Sequence, residues 1–461
     1  MSNPSTLRRV AMQAVGSLLF SSVLTGCAAL DRRSTTSAEN RDKPNFIIIF
    51  TDDQGYNDVG CFGSPNIKTP RLDQMAREGM RFTGFYSQTV CGPARAALMS
   101  GCYPTRVMRS GRISRWALPT EEITVAEVLR KAGYTTRCIG KWDLSGRRHL
   151  EGMLPTDQGF DYYFGTIGAN DSGRVQFMEN KQIRGHTENM GSLTRLYTDK
   201  AVEFIREHKD GPFFLYLAHT MPHTIIGASD QFRGKSARGL YGDVIEELDW
   251  NIGRVLDTVK ECGLDDKTII LYTSDNGPWL SKKEMGGSAD PLRMGKGSAW
   301  EGGFRVPCII RAPGRVPAGK ESNELMATLD VLPTFARLAG TKPPTDRIID
   351  GVDQTDLITG KSNKTARETF YYYVKDNLHA VRQGKWKLAL PNRQIFYDYA
   401  KDSVPVDAPQ LYDLENDVSE TKDVADAHPD IVKRLLELAA NAREDVGDLD
   451  RMGKNGRSRP E

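Results

Sequence analysis

A chain of 461 residues, 39% apolar and 26% charged, is long enough to bury a large core, which excludes global disorder. Its formal net charge is +2 and no basic run is interleaved with aromatics, so nothing in the composition marks nucleic acid as a partner. Seven cysteines without a CxxC pair argue against a structural zinc site, and no disulfide pairing can be read from their spacing.

In chain order, Arg8 and Arg9 precede a mostly apolar stretch, residues 10–24, too short and too interrupted for a comfortable membrane span. It reads as an export signal, although the flanks of a twin-arginine signal are missing. Leu24-Thr25-Gly26-Cys27 resembles the lipobox of bacterial lipoproteins, which would make Cys27 the acylated first residue of the mature chain. A plain signal peptide with an incidental cysteine is the alternative. Residues 1–26 are therefore expected to be a signal peptide, and the polar, aperiodic residues 27–43 a lipid-anchored flexible tether.

From about residue 44, short apolar β-like runs alternate with longer helical patterns, which predicts an α/β fold with a large, mostly parallel sheet covered by helices. Four of the runs stop abruptly at polar residues. NFIIIFT (45–51) ends in Asp52-Asp53-Gln54-Gly55, and TIILYT (268–273) in Ser274-Asp275-Asn276-Gly277. TRCIG (136–140) runs into Lys141-Trp142-Asp143, and FFLYLA (213–218) into His219-Thr220-Met221-Pro222-His223. Ligands of open α/β sheets bind beyond the carboxyl ends of strands, so the four groups can meet in one crevice. Asp and Asn also favour turns and caps for local reasons. Three carboxylates and an amide gathered together, however, need a cation to offset their repulsion, and an all-oxygen set suits Ca²⁺, ahead of Mg²⁺, rather than zinc. Of the two histidines, His223 in an exposed loop is the expected proton donor and His219, next to the strand, a support. Lys296, between glycines in Met294-Gly295-Lys296-Gly297, is placed for close approach to an anion.

Cys91-Gly92-Pro93-Ala94-Arg95 opens a helix-forming run, AALM, with proline in the first turn. A cysteine at a helix N-terminus suggests a thiolate nucleophile. Against that, Cys and Arg are separated by three residues here and by five in the phosphate-loop cysteine phosphatases, and a papain-like cysteine needs a different local pattern.

CxPxR followed by AALMSG resembles the signature of the type I sulfatases of the alkaline phosphatase superfamily, in which the cysteine is converted to formylglycine. The similarity extends to DDQGYNDVGCFGSPNIKTPRLDQMAREGMRFTGFYSQ ahead of the motif, and to GKW, TSDNGP and GKGSAWEGGFRVP, covering roughly residues 44–450. A hydrated aldehyde carries two hydroxyls on one carbon, one to attack sulfur and one to expel the bound sulfate afterwards. The resemblance implies that Asp52, Asp53, Asp275 and Asn276 bind Ca²⁺ together with modified Cys91. It further implies that Arg95 and Lys141 hold the formylglycine hydrate, that Lys141 and Lys296 grip sulfate, and that His223 protonates the leaving alcohol. A formylglycine-generating enzyme is the implied maturation partner. Many family members read KWHLG where this chain reads Lys141-Trp142-Asp143-Leu144-Ser145, so Asp143 stands where a histidine serves the formylglycine hydroxyl. Asp143 can accept that proton itself, or His149 can take the role.

Near residue 365 the pattern changes to FYYYV, LHAVRQGKWKLAL, QIFYDYA and QLYDLEND, read as short strands, followed by helical spacing over 428–446. This predicts a catalytic domain over 44–364 and, over 365–461, a subdomain with a small antiparallel sheet and a helix, some of its lysines and aromatics lining the cleft. The last dozen residues are expected to be disordered. The resulting reading is an exported, membrane-anchored sulfatase, at the periplasmic or cell-surface face, acting on a sulfated carbohydrate. The alternatives are a formylglycine-dependent phosphodiester or phosphonate monoester hydrolase, and, because of Asp143, a catalytically impaired Ca²⁺-dependent lipoprotein that binds sulfated glycans.

Overall fold

The computed structural model describes residues 43–108, 117–147, 152–392, 397–400 and 402–457. Cys27, the export signal, the tether up to residue 42 and His149 lie outside the described residues.

Strands buried along most of their length belong in a sheet covered on both faces. That is where these runs lie. The central strands are β1 (Asn45–Thr51), β3 (Thr135–Lys141), β4 (Tyr162–Thr166), β7 (Phe213–Ala218) and β8 (Thr268–Ser274), and they run parallel in the order β8-β1-β7-β3-β4. Shorter strands extend the sheet to ten: β2 (Met80–Phe82), β9 (Cys308–Arg311) and β10 (Lys320–Ser322) beyond β8, and the hairpin β5 (Val175–Glu179) and β6 (Gln182–Thr187) beyond β4. The pairings β8–β9, β9–β2, β4–β5 and β5–β6 are antiparallel, so the sheet is mixed at its flanks.

Alternate residues of β1 feed two cores. Phe46, Ile48 and Phe50 pack with α2 (Cys91–Ser100), α3 (Val125–Lys131) and α6 (Val331–Leu338), while Ile47 and Ile49 face α1 (Pro70–Glu78), α4 (Leu193–Glu207) and α5 (Gly239–Glu261). All these β1 side chains are fully buried, each contributing about 1.5–3 kcal/mol relative to exposure.

The C-terminal part forms a four-stranded antiparallel sheet, β11 (Thr369–Val374), β12 (Asn377–Gln383), β13 (Trp386–Ala389) and β14 (Gln410–Asp413), backed by α7 (Pro429–Asp445). Its core is continuous with the larger part, because Phe370 and Tyr372 pack with Tyr86, Tyr103 and Phe304. Two expectations need correction. QIFYDYA is not a strand where it is described, since Asp398–Ala400 forms a 3-10 turn. Nor are the residues after 450 disordered as far as 457: Arg451–Met452 pairs with Gly447–Asp448, and Arg457 forms a buried-side ion pair with Glu122 at 2.8 Å. No disulfide joins the described cysteines, and no described helix is long and apolar enough to cross a membrane.

Candidate active site

Parallel strands deliver their C-terminal residues to one edge of the sheet, and the four polar groups foreseen from the sequence converge there. Asp52 and Asp53 leave β1, Asp275 and Asn276 leave β8, Lys141 ends β3, and β7 leads into the segment carrying His223. The backbone N–H of Asp53 donates to Asp275 Oδ1 at 3.1 Å, and the Asn276 amide donates to Asp53 Oδ1 at 2.7 Å.

Cys91 is the first residue of α2, and its thiol donates to Asp52 Oδ1 at 3.2 Å, with Lys296 Nζ 3.5 Å from the sulfur. Burial, reinforced by Asp275 and Asp52, pushes the Cys91 thiol well above its ordinary pKa despite Lys141 and Lys296. The helix N-terminus is therefore opposed here, first by burial of the thiol and then by the carboxylates at the same point, and ionisation of Cys91 is disfavoured. Unmodified Cys91 is poorly suited to be a nucleophile.

Three cations balance the three carboxylates. Lys141 Nζ lies 2.6 Å from Asp52 Oδ2, and Lys296 Nζ lies 2.6 Å from Asp53 Oδ1. Arg95 reaches Asp275 at 2.9 Å and Asp52 at 3.3 Å, while its other nitrogen donates to the Lys141 carbonyl and the Tyr216 hydroxyl. Arg95 is thus a brace between β1, β3, β7 and β8. Burial alone would raise the pKa of Asp52, but Lys141, His223, Arg95 and Lys296 outweigh it and hold that carboxyl well below the ordinary range. Asp275 moves upward, through burial and then the neighbouring Asp52 charge.

The loop carrying Lys296 is held by backbone contact that only glycine permits. A Cβ on Gly277 would stand 1.7 Å from the carbonyl oxygen of Gly302, and one on Gly295 would stand 2.5 Å from that of Pro278. The N–H of Lys296 donates to Pro278 at 3.0 Å. The glycines of TSDNG and GKGSAWEGG are therefore two halves of one junction.

His223 does not sit in an exposed loop: it is 2% exposed. The segment folds back because Asn170, itself buried, donates through its amide to the carbonyls of His223 and Ile225, both at 2.7 Å. His223 Nε2 still faces the cleft, 3.6 Å from Asp53 Oδ2, and its ring meets that of Trp279 edge-on. Burial lowers its pKa, with Asp53 opposing. His219 is fully buried beside Tyr197, its pKa pushed down to about 3 by burial, which fits a support.

The donor set can be tested for a cation. Single ligand atoms of Asp52, Asp53, Cys91 and His223 lie within 4.8 Å of one another, and the buried Oδ1 of Asn276 has no hydrogen-bond partner. Clustered carboxylates plus an orphaned amide oxygen fit a hard divalent ion, with Lys141 and Lys296 as the groups it would meet. Asp275 stands slightly apart, both its oxygens being bonded to Asp53 N–H and Arg95.

Above this floor opens a cavity of about 460 Å³, walled by Cys91, Arg147, Asp171, His223, Trp279 and Lys296 and, from the C-terminal sheet, by Tyr373 and Lys375. Arg147, Asp171 and Trp279 carried no motif in the sequence. Arg147 was detectable only as a cation four residues after Asp143. Asp143 is fully buried and paired with Arg147.

Architecture and site together define a hydrolase of the alkaline phosphatase superfamily. The Sulfatase family profile matches residues 44–341, and that of the N-sulphoglucosamine sulphohydrolase C-terminal region matches 294–445; the chain belongs to the sulfatase family, the sulfuric ester hydrolases. It is 38% identical over 381 residues to N-acetylgalactosamine-6-sulfatase of Rattus norvegicus, spanning 75% of this chain and 71% of that protein. It is 34% identical over 443 residues to arylsulfatase A of Homo sapiens, spanning 86% and 87%. A solved structure concerned with glycosaminoglycan metabolism by Bacteroides thetaiotaomicron superposes with a TM-score of 0.79 at 29% identity, covering 87% of this chain and 99% of that one.

Proposed function

We propose that this sulfatase uses formylglycine made from Cys91 and a bound Ca²⁺ to hydrolyse sulfate esters of a carbohydrate. The observation that carries the reading is the position of Cys91, at a helix start on the cleft wall, in hydrogen-bond contact with Asp52 yet unfavourably placed to ionise. A buried thiol among carboxylates makes chemical sense as a precursor whose final form is not charged.

An aldehyde hydrate at position 91 supplies one hydroxyl for attack at sulfur and another for release of sulfate. Asp52, Asp53, Asp275 and Asn276 would hold Ca²⁺, which supplies charge neutralisation for an anionic ester. This chain's own residues do the remainder. Lys141 and Lys296 present ammonium groups to the sulfate oxygens, where charge redistributes in the transition state. Arg95 keeps the acidic floor in register. His223, facing the cleft through Nε2, gives its proton to the leaving oxygen. Support for a carbohydrate comes from the roomy cleft, lined by both charged and aromatic side chains, and from relatives named for N-acetylgalactosamine-6-sulfate and glycosaminoglycans.

Export and membrane anchoring through Cys27 belong to the same reading, supported by the apolar stretch and the lipobox-like LTGC. Cys27→Ala should release the protein from the membrane fraction.

The decisive experiment is mass spectrometry of the peptide containing residue 91 from protein coexpressed with a maturing enzyme, together with turnover of an aryl sulfate and an aryl phosphodiester. An aldehyde mass and preference for sulfate are expected. A purely thiol peptide in fully active protein would remove the formylglycine mechanism, and preference for the phosphodiester would shift the assignment to that rival.

A further inference from the structure

Asp143 lies buried behind Arg147 of the active-site wall, without a role in the scheme above. It is fully buried; its Oδ1 accepts a 2.8 Å hydrogen bond from Arg147 Nε, and Lys141 Nζ stands 3.7 Å from Oδ2. Arg147 reaches from that buried anchor to the cleft, where Nη1 donates to Asp171 Oδ2 at 2.8 Å. Asp171 is 48% exposed along its side chain, lines the cleft, and places Oδ1 3.7 Å from His223 Nε2. The preceding residue, Asn170, is the one whose amide ties down the carbonyls of His223 and Ile225. Asp171 is therefore fixed from two sides: through Arg147 to β3, and through Asn170 to the loop of the proton donor.

An exposed ion pair by itself contributes little to stability, typically about 0–1 kcal/mol. Committing a buried carboxylate to one member of such a pair costs desolvation, and a structural account leaves that cost unexplained. A carboxylate in an ion pair accepts hydrogen bonds and donates none. Beside the nitrogen that faces the leaving oxygen, such an acceptor meets whatever the alcohol carries next to its sulfated carbon.

We propose that Asp171 accepts a hydrogen bond from a hydroxyl on the alcohol half of the substrate, adjacent to the sulfated carbon, and that Asp143 and Arg147 are positioning residues for it. This rests on the sulfatase reading and deepens it. The site selects sulfate esters of polyhydroxylated alcohols, the chemistry of a sugar ring, over esters of simple phenols. It also gives Asp143 a task that requires no proton transfer, so its presence does not imply an impaired enzyme.

The test compares phenyl sulfate with catechol monosulfate, which differs by one hydroxyl on the carbon next to the sulfated one. With modified wild-type enzyme, kcat/KM should favour catechol monosulfate. The near-isosteric Asp171→Asn and the shorter Asp171→Ala should lower kcat/KM for catechol monosulfate by about tenfold or more and leave phenyl sulfate within about threefold, as a lost partner for a bound hydroxyl predicts. Arg147→Ala should reproduce this selective loss, Arg147→Lys should restore most of it, and Asp143→Asn should fall between. Equal losses on both esters, or no loss on either, would overturn the proposal, since a merely structural role does not discriminate between them. Wild-type enzyme that releases no sulfate from either aryl ester or from sulfated monosaccharides would instead remove the sulfatase reading beneath it, and this proposal with it.

Discussion

The Cys91 thiol and the Asp52 carboxylate, 3.2 Å apart, join the first residue of α2 to the residue that follows β1. The proposed formylglycine precursor and the acidic floor are thereby brought together by the ends of two regular elements. Cys91→Ala should abolish turnover while circular dichroism and thermal melting stay near wild type, because a small buried truncation costs only about 1–2 kcal/mol. Activity within a tenfold range of wild type would show that position 91 does no chemistry.

Lys141, Lys296 and Arg95 pair with the carboxylates of the acidic floor, so a divalent ion bound there would compete with them. Asp53 is the shared partner: Lys296 Nζ lies 2.6 Å from its Oδ1 and 2.7 Å from its Oδ2. Asp53→Asn should weaken Ca²⁺ binding by about tenfold or more in calorimetric titration. Lys296→Ala should do the opposite, tightening Ca²⁺ binding by removing a like charge while slowing turnover. Calcium affinity unchanged in both variants would place the ion elsewhere.

His223 supplies a pH signature. Burial moves its pKa below the ordinary imidazole value of 6.5. A proton donor must be protonated, so the productive fraction falls as pH rises through that lowered value. With alkyl sulfates, whose leaving oxygens need the proton, kcat/KM should decline on the alkaline side from a point below 6.5. Aryl sulfates should show a shallower limb, and His223→Ala should flatten both profiles. An alkaline limb that survives in the variant would assign the donor to another group.

Much of this was readable in advance because strand and motif coincide. Four apolar runs ending in polar clusters fixed which residues would meet, since parallel strands share one carboxyl edge. The flanking hairpin β5–β6 and the short β2, β9 and β10 were not readable, because strands of three to six residues carry too little periodicity. Asp171 escaped for a different reason. It lies in a loop, 24 residues from Arg147 along the chain, and their relation exists only after β3 and β4 are side by side. The burial of His223 likewise depends on Asn170, 53 residues away.

The glycine junction below Lys296 gives a prediction about backbone alone. Gly277→Ala puts a methyl where the Gly302 carbonyl stands, and that contact is backbone to backbone, so no side chain can swing aside. Displacement of the 294–303 loop should lower stability by about 1–3 kcal/mol and reduce kcat by moving the Lys296 ammonium. Wild-type kinetics in this variant would mean that the loop tolerates the shift.

The seam between the large sheet and the C-terminal one contains a second buried charge cluster with a testable pH dependence. Lys387 on β13 bridges Glu301 Oε1 at 3.1 Å and Glu420 Oε1 at 2.6 Å, and all three side chains are fully buried. Burial would raise both glutamates. Lys387, Arg382 and Arg305 overcome it at Glu301, whereas at Glu420 burial and the Glu301 charge prevail, leaving its pKa above the ordinary value. A carboxyl whose folded pKa is raised binds its proton more tightly folded than unfolded. Its contribution to stability is therefore lost as pH climbs from the ordinary glutamate range toward the raised value. Glu420→Gln keeps an acceptor for the Glu301 N–H, 2.8 Å away in the wild type, and removes the ionisation. The variant should gain on the order of 1 kcal/mol over wild type at pH 8 and much less at pH 5, read as a growing difference in melting temperature. A pH-independent difference would mean that Glu420 does not titrate in the folded seam, and that Lys387 satisfies two ionised carboxylates at once.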